Sequence, residues 1–182
     1  SPETATSIAA SASMTLRTSH GELITRRLPD ASVLSLNTET EVEVSSDTRE
    51  RLIVLRRGEM SVQVAHEPRL FKVLAGIAEI TAHGTSFDVR LDQNTTTVTV
   101  VEGRVAVTPA PGEGQQTGTG PIVQLGPNEQ LRVSPSSWQA APSVVDAKRA
   151  TAWLEGRIVF ENEPLANVAT EFNRYVSVPF EI

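Results

Sequence analysis

From Met14 to Val133 the chain alternates. Runs such as LITRRL, VLSL, EVEV, RLIVL, MSVQVA, LFKVL, IAEITA, FDVRL, TTVTVV, RVAV, IVQL and QLRV intersperse Val, Ile, Leu and Thr with polar residues. Successive side chains of an extended chain point to opposite faces, so a period of two marks half-buried β-strands. Breakers punctuate the runs at Pro29–Asp30, Arg57–Gly58, Gly76, His83–Gly84, Gly103 and Gly126–Pro127. No segment here holds helical period over the ten or so positions a confident helix needs, and the region reads as all-β.

LPDASVLSL, LRRGEMSVQV, VEGRVAV and LGPNEQLRV each set an aliphatic residue before a tight turn and an alternating strand after it. Their spacing is too irregular for a clean solenoid period. The expected fold is therefore mainly β, a stacked, solenoid-like β-sandwich of short strands, with Met60, Val62 and Val64 pointing inward.

At 182 residues, 39% hydrophobic and 21% charged, the chain is long enough and apolar enough to bury a core. A formal charge of −6 argues against a nucleic-acid binder, which needs a concentrated basic surface. The absence of cysteine excludes a disulfide scaffold and a thiolate metal site. No stretch approaches the roughly 20 apolar residues that span a bilayer. Residues 1–13, small and polar, read as a tether, and any membrane segment is expected upstream of Ser1.

Thr108–Pro121 is a surface loop rich in Gly, Pro and Gln, and the breaker-rich Ser134–Ser143 marks a boundary. The β domain is thus expected over residues 14–143 and a C-terminal subdomain over 144–182. In the latter, VVDAKRATAWLEG suits a short helix ending at Gly156. RIVFE reads as a strand, and Asn162 or Glu163 with Pro164 opens a second helix. Leu165, Val168, Ala169 and Phe172 share one face of that helix, and Leu165, Val168 and Phe172 are read as ordinary core of the subdomain. VSVPFEI closes a small strand–helix–strand, α+β unit, too short to be stable alone.

Chemistry finds little footing. His66 and His83 sit at strand ends without ligand spacing, and nothing brings His20 to them, so no metal site is expected. No serine lies in a nucleophile elbow; Ser86 near His83 and Asp88 is adjacency in sequence only. The aspartates are scattered and no phosphate-cradling loop precedes a helix. The chain is read as a non-enzyme without a cofactor.

Several motifs in order resemble the FecR family of transmembrane anti-sigma regulators. The family's stretch Gly-Glu-x-x-x-x-Val-Ala-His is matched by Gly58, Glu59, Val64, Ala65 and His66. Gly84, Thr85, Phe87 and Val89 match a second stretch, and Val100, Glu102, Gly103 and Val105 a third. The usual Pro-Asp-Gly turn reads Pro29–Asp30–Ala31 here. The resemblance implies the periplasmic portion of a single-pass inner-membrane protein. Its partner would be the signalling domain of a TonB-dependent outer-membrane transporter taking up iron–siderophore cargo. An extracytoplasmic-function sigma factor would be reached through a cytoplasmic segment and membrane helix outside this chain. The tail also resembles the small signalling domains of secretins and of those transporters, which suggests contact by strand addition. On that reading Arg157, Glu161 and Glu163 are partner-binding candidates, with Trp153 and Tyr175 as aromatic anchors. Alternative readings are a non-catalytic carbohydrate- or matrix-binding β module, a structural solenoid and, weakest, a degradative enzyme.

Overall fold

The structure is a computed structural model that describes residues 12–112, 120–138 and 141–180. Most of the expected tether, residues 113–119 of the Thr108–Pro121 loop and the end of the last expected strand lie outside the described residues.

Among the described residues the period of two is realised in thirteen strands. They are β1 (Ala12–Arg17), β2 (Ile24–Arg27), β3 (Val33–Leu36), β4 (Glu41–Ser46), β5 (Glu50–Gln63), β6 (Leu70–Ala75) and β7 (Ala78–Ala82). After these come β8 (Ser86–Asp92), β9 (Thr95–Glu102), β10 (Val105–Pro109), β11 (Val123–Leu125), β12 (Glu129–Val133) and β13 (Ser143–Val144). One layer runs β1-β4-β5-β6-β7-β10-β11, the other β2-β3-β5-β8-β9-β12-β13. All pairs are antiparallel except β5 with β6. The fold is mainly β, as expected, a curled sheet closed over itself as a sandwich.

β5, 14 residues long, belongs to both layers. Its first half pairs with β4 and β6, its second with β3 and β8. In the first half the odd residues Arg51, Ile53 and Leu55 face inward; in the second the even residues Met60 and Val62 do. The parity changes because Val42 pairs with Leu55 while Glu41 pairs with Arg57, leaving Arg56 as an extra, bulged residue. Gly58, at φ +90°, follows at the bend, and a Cβ there would collide with Thr40. Inward-facing Leu34, Leu36, Ile53, Leu55, Met60, Val62, Phe71, Ile80, Phe87 and Leu131 fill the space between the layers.

The β2–β3 hairpin turns through Pro29–Asp30–Ala31. Ala31 N–H donates to Leu28 O at 3.0 Å, and Ala31 takes φ +69°, the left-handed position that closes such a three-residue loop. The family's glycine suits that conformation, and Ala31 occupies it at a cost. Asp30 is held by Ser32 and by Arg51 Nη1 at 2.7 Å. The Arg51 guanidinium, 3% exposed, also donates to the carbonyls of Ala65 and Arg69 and lies 5.1 Å from the Phe71 ring centroid. Burial works to raise the Asp30 pKa, but the Ser32 and Arg51 contacts outweigh it and hold the carboxyl below its usual value.

The C-terminal part corrects two expectations. Among the described residues no strand follows β13, so neither RIVFE nor the described part of VSVPFEI pairs. A strand exists only beside a partner strand, and the body leaves none next to residues 157–160. The first expected helix comes in two pieces, α1 (Ala147–Ala150) and a 3₁₀ turn (Ala152–Glu155), capped by Gly156 at φ +69°. The second is α2 (Leu165–Asn173), entered through Pro164 without a side-chain cap. Its stripe is not core: Leu165 is 68% and Phe172 45% exposed, while Ala169 alone of the four is buried. The reason is that α2 meets the sandwich with its polar side, as described below.

Two stability outcomes follow from the hairpin. Ala31→Gly is expected to stabilise the protein by roughly 0.5–1 kcal/mol by relieving the left-handed strain, read as a higher urea midpoint at constant slope. Arg51→Met leaves Asp30 buried and unpaired, and is expected to cost roughly 3–5 kcal/mol at neutral pH. Because the Asp30 pKa is depressed in the fold, this contribution is present above the unfolded value of about 3.9 and fades as pH falls through the native one. Urea titrations at neutral pH and near pH 3 read the difference.

Candidate functional site

The outer face of the second layer is where the C-terminal arm lies. By alternation Asp88 and Arg90 on β8, and Glu59 on β5, point away from the sandwich core, yet Asp88 and Glu59 are almost fully buried. The arm covers them. α1 begins with Asp146, whose side chain accepts from Arg149 N–H, and Ala147 N–H donates to Asn128 Oδ1 at 3.2 Å. Ala147, Ala152 and Trp153 are buried against the body. The Trp153 indole Nε1–H donates to Asp88 Oδ2 at 3.2 Å.

Residues 157–160 then run extended over the surface. Among the described residues no backbone group of Ile158, Val159 or Phe160 pairs with another backbone group. α2 returns to the body through its C-terminal turn. Arg90 Nη1 donates to Glu171 Oε2 at 3.0 Å, and Arg174 Nη2 donates to Glu59 Oε2 at 3.1 Å. Asn37 Nδ2 donates both to Glu59 Oε2 at 2.8 Å and to the Tyr175 hydroxyl at 2.7 Å. Thr38 Oγ1–H donates to Arg174 O at 2.9 Å, and His20 Nε2 lies 2.7 Å from Val176 O.

Electrostatics sharpen this seam. Burial and the adjacent Glu59 carboxylate raise the Asp88 pKa well above the usual carboxylate range. Burial disfavours the Arg174 charge, but Glu59 and Glu171 more than compensate, and the guanidinium stays charged with its pKa raised. Burial also raises the Tyr175 hydroxyl.

The structure brings Trp153, Arg157, Glu163 and Tyr175 to one cleft of ≈ 270 Å³, with Glu59 and Arg90 also lining it. Glu161 lies outside that lining and pairs with Arg149; Arg157 pairs with Glu155. Trp153, 6% exposed, is spent on the body, so its indole is an internal anchor and not a surface one. Tyr175 is half-buried. Of the central residues, Asn37, Arg90 and Arg174 escaped the sequence reading; Glu59 entered it only within the Gly58–Glu59 motif and Asp88 only as a rejected neighbour of His83 and Ser86. His66 and His83 stack edge to face with centroids 4.8 Å apart, and among the described residues no three His, Asp or Glu side chains are grouped to hold a metal. Asp88 is engaged by Trp153, which leaves no triad with His83 and Ser86 among these contacts. No helix among the described residues is long and apolar enough to cross a membrane.

Fold and site together define a two-layer β domain with a helical arm latched across its outer face. Residues 14–106 match the family model described as FecR protein, and the chain belongs to the FecR family of anti-sigma regulators. Two crystal structures, each of a proposed anti-sigma factor from Parabacteroides distasonis ATCC 8503, are similar to it at 27% identity. The 2.50 Å structure has a TM-score of 0.75, covering 90% of this chain and 75% of that one. The 1.65 Å structure has a TM-score of 0.72, covering 89% and 74%. No curated protein matches the chain.

The raised Asp88 pKa has a measurable consequence. The native state keeps a proton that the unfolded chain releases above about pH 4, so stability falls as pH rises from there toward the native pKa. Asp88→Asn keeps an acceptor for Trp153 and removes the ionisation. It is expected to be at least as stable as wild type near pH 8 and to lose the downward slope, of up to about 1.4 kcal/mol per pH unit, in urea titrations across that range.

Proposed function

We propose that this chain is the periplasmic relay domain of a FecR-type anti-sigma regulator, with residues 144–182 as its signalling subdomain. The partner is the signalling domain of a TonB-dependent outer-membrane transporter for iron–siderophore cargo. The signal passes to an extracytoplasmic-function sigma factor through the membrane helix and cytoplasmic segment of such regulators. The observation that carries this reading is the direction in which the arm faces. It turns its polar side to the sandwich and Val159, Leu165 and Phe172 outward, while among the described residues Ile158, Val159 and Phe160 offer backbone that pairs with no other backbone group. Such a segment suits strand addition, in which main-chain bonds supply affinity and alternate side chains selectivity. Val178, 79% exposed, and Phe180 add apolar surface on the segment after α2. On this reading Arg157, Glu161 and Glu163 are the charged partner contacts and Tyr175 the aromatic one. The family membership and the similarity to two proposed anti-sigma factors support the regulatory part of the reading.

Titration of this chain with purified signalling domains of TonB-dependent transporters from the same genome tests it. Saturable binding to one of them, with Kd of about 1 μM, suits a reversible relay. Val159→Lys and Leu165→Glu are each expected to weaken it about tenfold or more without changing thermal stability. Binding to none of them, or binding indifferent to both substitutions, contradicts the proposal.

A further inference from the structure

The arm divides into two parts of opposite character. Upstream of Gly156 it is an apolar anchor, with Ala147, Ala152 and Trp153 buried. Downstream of Pro164 it touches the body almost wholly through polar groups: Glu171 to Arg90, Arg174 to Glu59, Tyr175 to Asn37, and the Arg174 carbonyl to Thr38. Between the two lies the extended stretch, bounded by Gly156 at φ +69° and containing Asn162 at φ +55°. The latch is bordered by open space. Cavities of ≈ 270, ≈ 490 and ≈ 420 Å³ all border Arg90, each far larger than the roughly 10–15 Å³ a water needs. Water therefore has room to reach the Arg90 side of the latch as it opens, which a packed apolar interface does not permit.

We propose that α2 is a releasable strap, latched by Glu171, Arg174 and Tyr175 onto Arg90, Glu59 and Asn37, which opens about the 156–164 stretch while the Trp153 anchor stays in place. This deepens the reading given above and rests on it in one respect, that the transporter's signalling domain engages the arm. Closed, the strap half-buries Arg174 and Tyr175; open, it adds both to the apolar stripe of α2, which faces outward already. A partner that binds the open strap has its apparent affinity reduced by the fraction of molecules that are open, so weakening the latch tightens binding.

Amide hydrogen exchange on the full chain reads the opening without any partner. In wild type the α2 amides are expected to exchange through a sub-global opening, faster than those of Val98 and Val100 in β9. Glu59→Gln and Arg174→Gln, and the milder Tyr175→Phe, are expected to speed exchange across Leu165–Tyr175 about tenfold or more, leaving β9 protection unchanged. Equal protection of α2 and β9 in wild type overturns the proposal, as does loss of both together in Tyr175→Phe, because α2 would then be part of one cooperative unit. Unchanged α2 exchange in all three variants overturns it too. Where a signalling domain binds, Asn37→Ala, which loosens the latch from the body side, tightens that binding while Leu165→Glu weakens it. Weakening by both variants overturns release. Failure of every signalling domain to bind sinks the partner reading alone, since the exchange result decides the strap independently.

Discussion

Everything in this domain hangs on one strand changing layers. β5 cannot serve two facing sheets with a fixed alternation, because the inward direction reverses between them. The extra residue Arg56 resets the alternation, and Gly58 supplies the bend where Thr40 leaves no room for a side chain. The pairings of the second layer take their register from that reset. β6 runs parallel to the first half of β5, with β7, β10 and β11 outward from it. β8 runs antiparallel to the second half, with β9, β12 and β13 outward from it; β4 with β1 and β3 with β2 lie on the other side of β5. The crossover also decides where the outward-facing Glu59 emerges, one residue past the bend and directly under the arm.

The seam beneath the arm illustrates how a protein accommodates charge where the hydrophobic effect is absent. Taking Glu59, Arg174 and Asp88 out of water is costly, and only mutual satisfaction makes it tolerable. Asn37 serves Glu59 and Tyr175 at once, so the body and the arm share a single donor group. Such an arrangement is specific in geometry yet modest in net stabilisation, since each bond exchanges for one with water. It is suited to an element that must come back to one position and still leave it.

Much of the sandwich was legible in the chain. Met60, Val62 and Val64 face inward as their alternation requires, and the turns fall at the Pro, Gly and Asp positions. The bulge at Arg56 was not legible, since an arginine pair after an aliphatic run gives no sign of an unpaired residue. Asp88 illustrates a subtler limit: alternation places it correctly on the outer face, but whether that face is wet depends on an arm more than fifty residues later in the chain. RIVFE has strand-forming residues, yet strand formation needs a neighbour, and neighbours are a property of topology. The stripe of α2 was recognised by its spacing, but spacing says which residues share a face and not what that face meets. Trp153 was named for the site for its aromatic character, and its burial against Asp88 shows the same ambiguity.

The sheet that closes over itself keeps free edges, among them β1 and β2, each paired on one side only. β2 carries Arg26 and Arg27 side by side, both exposed. When two copies approach edge to edge along this strand, like charges confront each other before any main-chain bond can form, and charged residues on an edge are a general means of discouraging that approach. In a crowded compartment the domain is thereby kept from templating its own aggregation through this edge. The backbone without a backbone partner lies elsewhere, along residues 158–160, and on the proposed reading strand pairing goes to the arm and away from the body.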